Sequence, residues 1–298
     1  MLMEKWIKRL LPALLLVALS GCHINEAVYR YDGSRIVYLR SPLMKVMDEL
    51  NERHLSAQTV VARLNVILRN NEKNKETPLT GVYLGDKDGN LRLQLTASTG
   101  KIILDMANHN NTVDVWLPLK SRYFQGKRQD LLNNSQCQLS LIAHVGRARD
   151  LFFPRAWSDG AIEYRVTYQN GREVISVLEK PNFIRRRSRR ITLAPESACV
   201  EMMEVYDKFG REVGIVTYSD YRFPESNTEL AAEQNCPLIY PGCVKLHSPD
   251  GMFTLEFYVE EFILDSPIAA SKFEVPKSEN SKILNLGQAL KHSGNLWE

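Results

Sequence analysis

The sequence has no hydrophobic run long enough to cross a membrane and no excess of charge of one sign. Its N-terminal apolar run covers only residues 10–19 of a 298-residue chain. A helix needs about 20 apolar residues to cross the ~30 Å hydrocarbon core of a bilayer, so this run cannot span one. The chain carries 38 Lys and Arg against 35 Asp and Glu. A surface so close to neutral gives no reason to expect nucleic acid as a partner.

The motifs that mark common catalytic and metal sites are also absent. None of the six histidines pairs with another at i+3 or i+4, and HExxH, GxSxG, CxxC and Gly-rich phosphate loops are missing. The segment "GDKDGN" (85–90) lacks the twelve-residue ligand spacing of a calcium loop and is typical of a polar hairpin tip. We therefore predict that the protein is not an enzyme and has no cofactor and no metal site. A hydrolase acting on envelope lipid is the weaker alternative.

The chain does have an export signal at its start. Basic residues precede the apolar run, and "LSGC" (19–22) follows it. This order resembles a bacterial lipoprotein signal, in which small residues precede the cysteine that receives lipid. The resemblance implies that residues 1–21 are removed and that Cys22 anchors the protein, since two or more acyl chains hold a protein stably on a membrane. In the pattern that this resembles, an Asp after the cysteine favours retention in the inner membrane. His23 stands there instead, so the resemblance implies the periplasmic face of the outer membrane, and a Gram-positive membrane is the alternative.

The rest of the chain divides into three predicted regions. Residues 22–40 are predicted to be a tether, residues 41–276 a globular domain, and residues 277–298 a polar tail with one short helix. The hydrophobic share of 44% fits a chain that buries a sizeable core. The domain is predicted to begin with a helix over 41–55, which Ser41 caps.

Strand patterns dominate the predicted domain. In "TVVARLNVILRN" (59–70) apolar and polar residues alternate, as they do in a half-buried strand. Asp88-Gly89, Asn170-Gly171 and Asp250-Gly251 are typical of hairpin turns, and a second helical pattern covers 131–145. A long series of hairpins forms an antiparallel sheet that tends to curl. The predicted fold class is α+β, a curled antiparallel half-barrel of about eleven strands covered by two or three helices.

The densest basic run is "RRRSRR" (185–190). It leads directly into the apolar residues of a predicted strand. We predict that it forms a solvated edge of the sheet, and contact with anionic lipid headgroups is the alternative.

Five cysteines are present, and the predicted lipid anchor Cys22 leaves four. In an exported protein an even remainder allows two disulfides, with three connectivities. The turn in "PLIYPG" (237–242) favours Cys236–Cys243 together with Cys137–Cys199.

Three segments in order resemble the lipoprotein-carrier superfamily that contains LolA, LolB and RseB. They are "GVYLGDKDGNLRLQLTASTGKIILDMANHNNTVDVWLPLKSRYFQGK" (81–127), "RRITLAPESACVEMMEVYDKFGREVGIVTYSDYRF" (189–223) and "YPGCVKLHSPDGMFTLEFYVEEFILDSPIAASKFEVP" (240–276). The resemblance implies an unclosed, curled sheet with helices over its mouth and an apolar hollow between them. Arg92 is the nearest candidate for the arginine that gates this hollow in the soluble carrier.

The resemblance implies binding of acyl chains, from lipids or from other lipoproteins, as a carrier or receptor in lipoprotein or lipid localisation. A periplasmic carrier protein is then a further partner. A dry concave apolar surface captures an acyl chain because burial removes apolar area from water. The alternatives are an anchored structural or signalling module that binds a protein partner, and a solid core in place of the hollow. The candidate wall residues are Leu64, Val66, Leu93, Leu95, Leu104, Met106, Val115, Leu117, Phe257 and Val259.

Overall fold

A computed structural model gives the architecture of the chain. The predicted helix over 41–55 and the predicted anchor Cys22 lie outside the residues that it describes. The described residues are 27–32, 35–36, 57–134, 141–143, 151–153, 161–169, 172–179, 186–194, 199–223, 239–277 and 281–293.

Most of the described residues are in strands. Two helices are described in full, α1 (Arg128–Leu132) and α2 (Leu286–Ser293), together with 3-10 turns at Pro118–Lys120 and Ala270–Phe273. The strands are β1 (Ala27–Asp32), β2 (Arg35–Ile36), β3 (Thr59–Asn70), β4 (Lys75–Asp86), β5 (Leu91–Ala97), β6 (Ile102–His109), β7 (Thr112–Leu117), β8 (Arg122–Lys127), β9 (Ala161–Gln169), β10 (Arg172–Glu179), β11 (Arg186–Leu193), β12 (Val200–Tyr206), β13 (Glu212–Arg222), β14 (Tyr240–His247), β15 (Phe253–Leu264) and β16 (Lys282–Asn285).

These strands form one open sheet. Its order is β16-β8-β7-β6-β5-β4-β3-β15-β14-β13-β12-β11-β10-β9-β1-β2, and the thirteen strands from β3 to β15 form an antiparallel run. β16 adds to β8 in parallel, and β1 extends the other edge beside β9. This architecture is consistent with the predicted half-barrel, but the prediction of about eleven strands was too low. One missed strand is β8, whose sequence "RYFQGK" does not alternate cleanly.

The two faces of the sheet differ in the way that alternation predicts. On β3, Leu64 and Val66 are buried, whereas Arg63 and Asn65 point to the other side and are exposed. We call the side of Leu64 the core face and the opposite side the outer face. The outer face carries ion pairs between neighbouring strands, such as Arg63–Glu261 at 3.3 Å.

The described residues between β8 and β9 pack on the core face. These two strands follow one another in sequence but lie near opposite edges of the sheet. We call the described residues between them, 128–134, 141–143 and 151–153, the crossing segment. Its buried side chains join the same apolar cluster as the core-face strands. The crossing segment therefore supplies the cover that the sequence predicted from helices.

Strands and core residues also occur on both sides of the predicted domain 41–276, whose bounds stay a prediction. β1 lies in the predicted tether and pairs with β9. β16 and α2 lie in the predicted tail, where Leu286 and Leu290 of α2 are buried in the main core. The helix packs so closely on β8 that a Cβ added at Gly126 would lie 2.7 Å from the Cβ of Leu286.

Two of the three predicted hairpin turns are described, and both are confirmed. In "GDKDGN" a carboxylate oxygen of Asp86 accepts hydrogen bonds from the backbone N–H groups of Asp88 and Asn90, each at 2.9 Å. Gly89 follows with φ +91°, and Gly251 holds the corresponding place between β14 and β15 with φ +70°. Asn170-Gly171 lies outside the described residues.

Candidate functional site

The structure brings all ten predicted wall residues onto the core face. They come in pairs from β3, β5, β6, β7 and β15, and each is at most 3% exposed. Backbone pairing places several side by side, such as Phe257 opposite Val66 and Met106 opposite both Leu93 and Val115. The set therefore forms one continuous apolar surface. That an acyl chain binds to it stays a prediction.

A glycine lies within this surface, on the strand between β3 and β5. Gly81 of β4 lies opposite Leu64 on one side and Leu95 on the other. A Cβ at this position would lie 3.1 Å from the side chains of both Leu95 and Val66. Because Gly81 has no side chain, these neighbours close over β4 and fill the space above it.

Aromatic residues cover one end of the core face. Phe152 of the crossing segment meets Tyr83 and Phe262 edge to face, with ring centroids 5.1 and 5.5 Å apart. Phe262 also meets Phe153 edge to face at 5.7 Å and stacks on Tyr240 at 4.0 Å. Such pairs add about 0.5–1.5 kcal/mol each beyond the area that they bury. The sequence did not reveal this cluster, because its members come from distant segments with no shared period.

Arg92 does not belong to the core face, so its assignment as a gating arginine was wrong. It alternates with Leu91 and Leu93 and therefore points to the outer face. There its guanidinium donates to both carboxylate oxygens of Asp105, at 2.9 and 2.7 Å. Asp105 is fully buried and also accepts a hydrogen bond from Gln94 at 3.0 Å.

The basic run is not an edge of the sheet, so the prediction of a solvated edge was wrong. It lies in β11, which is flanked by β10 and β12. Arg190 pairs with Glu204 at 3.0 Å on the outer face, and Arg187 lies over the ring of Tyr206. Arg189 is buried opposite Val205, on the core face. The described positive charges are therefore divided between both faces, and Arg190 and Arg187 are matched by Glu204 and Tyr206 on β12.

Strand order tests one of the disulfide connectivities. Cys199 lies next to β12 and Cys243 lies on β14, with β13 between them. Strands are about 4.8 Å apart, so a separation of ~10 Å excludes Cys199–Cys243. Burial raises the pKa of the Cys243 thiol. Cys236 lies outside the described residues, so the preferred Cys236–Cys243 bond stays a prediction. Cys137 lies outside the described residues, and its pairing stays a prediction.

The outer face has a buried carboxylate at its centre. Glu256 of β15 is 3% exposed. It accepts hydrogen bonds from Tyr258 and Arg69, each at 2.5 Å, and pairs with Lys245 at 3.2 Å. Burial alone would raise the pKa of Glu256, but the three donors outweigh burial and hold the pKa below its usual range. This network fixes the spacing of β3, β14 and β15 on the face of the sheet opposite the wall residues.

We expect Glu256→Gln to lower the free energy of unfolding at pH 7 by about 1–3 kcal/mol, because it weakens charge-assisted hydrogen bonds. The folded pKa is below the unfolded value of about 4.3. Ionised Glu256 therefore stabilises the fold above that value, and the contribution is lost as the pH falls through the folded pKa. Urea unfolding at several pH values should show the variant approaching wild type in acid. The exposed Glu260, changed to Gln, is the control. If the difference in unfolding free energy between wild type and Glu256→Gln did not change with pH, this account would be contradicted.

No helix among the described residues is long and apolar enough to cross a membrane. In the same part of the chain, no group of three or more His, Cys, Asp or Glu side chains could hold a metal ion.

No protein-family model matches the chain, and no curated protein matches it. Solved structures do. A LolA superfamily protein from Nitrosomonas europaea is 9% identical with a TM-score of 0.48, over 78% of this chain and 97% of that one. A DUF1329 family protein from Desulfovibrio piger is 10% identical with a TM-score of 0.46, over 78% and 98%. The MucA/MucB complex of Pseudomonas aeruginosa matches at 10% identity and a TM-score of 0.26, over 80% and 63%.

One of these similar structures is a LolA superfamily protein, and LolA belongs to the superfamily that the sequence motifs resemble. Identities near 10% and TM-scores below 0.5 transfer no residue role and no ligand to this chain.

Proposed function

We propose that this protein is a lipid-anchored envelope lipoprotein that binds acyl chains between the core face of its sheet and the crossing segment. The acyl chains belong to lipids or to other lipoproteins, and the protein acts as a carrier or receptor without covalent chemistry. Its own anchor is Cys22, at the periplasmic face of the outer membrane. The observation that carries the proposal is the core face, where ten predicted wall residues from five strands form one apolar surface.

The described part of the cover is held to the sheet by side-chain contacts that a ligand can replace. A sheet can bury its apolar face against a second sheet or against helices. Here Phe152 and Leu141 of the crossing segment join the apolar cluster of the core face. Displacing these side chains exposes the wall residues, and an acyl chain that replaces them restores the apolar contacts.

The wall residues are almost completely buried without a ligand, so binding needs this displacement. The cost lowers affinity for any single chain, because the closed form is the more populated one. In exchange, the apolar surface stays out of water while no ligand is bound. A protein that takes up and releases acyl chains needs both properties.

Native mass spectrometry of the full-length protein, extracted from membranes, tests the proposal and the anchor together. We expect non-covalently bound acyl species, and a covalent mass increase on the N-terminal peptide that begins at Cys22. Val66→Trp on the core face should lose most of the bound species, because the larger ring takes up room on the apolar surface, where Val66 and Leu95 already fill the space above Gly81. Such overpacking costs about 1–3 kcal/mol. Val82→Trp is the matched control, since Val82 lies on the outer face and is 43% exposed.

Two results would contradict the proposal. One is a wild-type protein without acyl species that instead carries a stoichiometric protein partner, which would favour an anchored structural or signalling module. The other is equal loss of acyl species in both tryptophan variants, which would place the binding surface elsewhere.

A further inference from the structure

One polar side chain interrupts the apolar core face of β5, β6 and β7. Asn108 of β6 lies opposite Leu91 of β5 and Val113 of β7, both of which are buried in the main core. Asn108 itself is 7% exposed. It continues the series Leu104 and Met106, two of the predicted wall residues, at the end of the strand.

The orientation of the Asn108 side chain is fixed by the hairpin beside it. Its Nδ2 donates a hydrogen bond to the backbone carbonyl of Gly89 at 2.9 Å. That carbonyl can only accept, so exchanging the amide nitrogen and oxygen would bring two acceptors together. A second hydrogen bond joins the β4–β5 and β6–β7 hairpins: the N–H of Asn110 donates to the side-chain oxygen of Asn90 at 3.2 Å. The oxygen Oδ1 of Asn108 is thus held in one place.

This Oδ1 is shielded from solvent and has no hydrogen-bond partner within the described part of the chain. Buried polar atoms in native proteins are nearly always paired, because an unpaired one has lost its water without compensation. Asn108 is at the end of β6, next to the exposed tip of the β4–β5 hairpin. It therefore marks the rim of the core face, where the apolar surface meets polar surroundings.

We propose that Asn108 Oδ1 accepts a hydrogen bond from the polar end of the bound acyl chain. This inference rests on the proposed function and names its ligand class. The ligand is an acyl or alkyl chain whose polar end carries an uncharged N–H or O–H donor. The hydrocarbon then runs from Asn108 along Met106 and Leu104. An ionised carboxylate or an ester offers acceptors only, so neither can pair with Oδ1. The site therefore prefers an amide-linked or hydroxyl-bearing chain over a free fatty acid.

A competition among ligands of equal chain length tests this inference. The full-length protein is exposed to an equimolar mixture of N-methylpalmitamide, hexadecanol, methyl palmitate and palmitate, and native mass spectrometry counts each bound species. We expect the amide, the alcohol or both to exceed the methyl ester by about threefold to tenfold, the range that one neutral hydrogen bond supplies. The ratio of amide to alcohol identifies which donor the site takes.

Asn108→Leu should bring the ratio of donor ligand to methyl ester close to one, because the donor ligands lose their hydrogen bond and bind less. Asn65→Leu, on the outer face of β3, is the matched control and should keep the wild-type ratio. If Asn108→Leu fails to fold, Asn108→Ala gives the same comparison. Equal binding of all four ligands to wild type would overturn the inference and leave the proposed function intact, and would indicate that water pairs with Oδ1. Absence of every acyl species would overturn the proposed function itself.

Discussion

Phe152→Ala is expected to lower the free energy of unfolding by about 3–5 kcal/mol. Phe152 is fully buried and contacts both Tyr83 of β4 and Phe262 of β15. Removing its ring takes away the contact through which the crossing segment holds this end of the core face, and it leaves a cavity. Chemical denaturation followed by circular dichroism measures the loss.

The control for this variant is Phe209→Ala, because Phe209 is 56% exposed in the turn after β12. We expect this change to cost less than about 1 kcal/mol.

The Phe152→Ala variant also distinguishes a binding surface from a solid core. If acyl chains displace Phe152, the Phe152→Ala variant should bind them more tightly than wild type and regain part of its lost stability on addition of a C16 ligand. Apolar cavities in proteins accept apolar ligands of the right size. A variant that is destabilised but gains nothing from the ligand would favour a solid core.

Gly214→Ala is expected to cost about 2–5 kcal/mol through steric conflict and backbone strain together. Gly214 of β13 has φ +154°. A Cβ there would lie 2.5 Å from the backbone carbonyl oxygen of His247 and 2.9 Å from the side chain of Leu141. The carbonyl belongs to β14 and cannot move without disturbing the sheet. Leu141 belongs to the crossing segment, so the substitution also pushes the cover away from the core face.

Gly210→Ala is the matched control. Gly210 has φ +78°, and no atom lies within 4 Å of a Cβ added there. Only backbone strain of about 1–2 kcal/mol should remain. The difference between the two variants in the midpoint of thermal unfolding therefore reports the steric conflict alone. Equal losses in both would contradict the close approach of the His247 carbonyl and of Leu141 to Gly214.

Alternation within single strands was enough to predict the sheet and its apolar face. In β3 and β5 every second residue is apolar, and a period of two leaves only one way to place them on the core face. The turns at Asp88-Gly89 and Asp250-Gly251 then fixed which strands are neighbours. β8 was missed because its sequence alternates weakly. β16 was missed because it is only four residues long and pairs in parallel with a distant segment.

The cover of the core face could not be predicted in this way. The contacts of Phe152 with Tyr83 and Phe262 join residues far apart in sequence, and no local pattern encodes them. Arg92 was placed on the wrong face because the family resemblance outweighed its alternation with Leu91 and Leu93, which indicates the outer face. Asn108 carried a signal that was overlooked. It is a polar residue at a position where the alternation of β6 calls for an apolar one.

The most direct test of acyl-chain binding at the core face is photocrosslinking with a C16 fatty amide that carries a diazirine at the end of its chain. The full-length protein is irradiated with this probe, digested, and mapped by mass spectrometry. The account predicts adducts on core-face residues of β3, β5 and β6, such as Val66, Leu93 and Leu104, and competition by unlabelled ligand. Adducts confined to outer-face residues such as Val82 and Ile263, or no adducts above those of the unfolded protein, would contradict it.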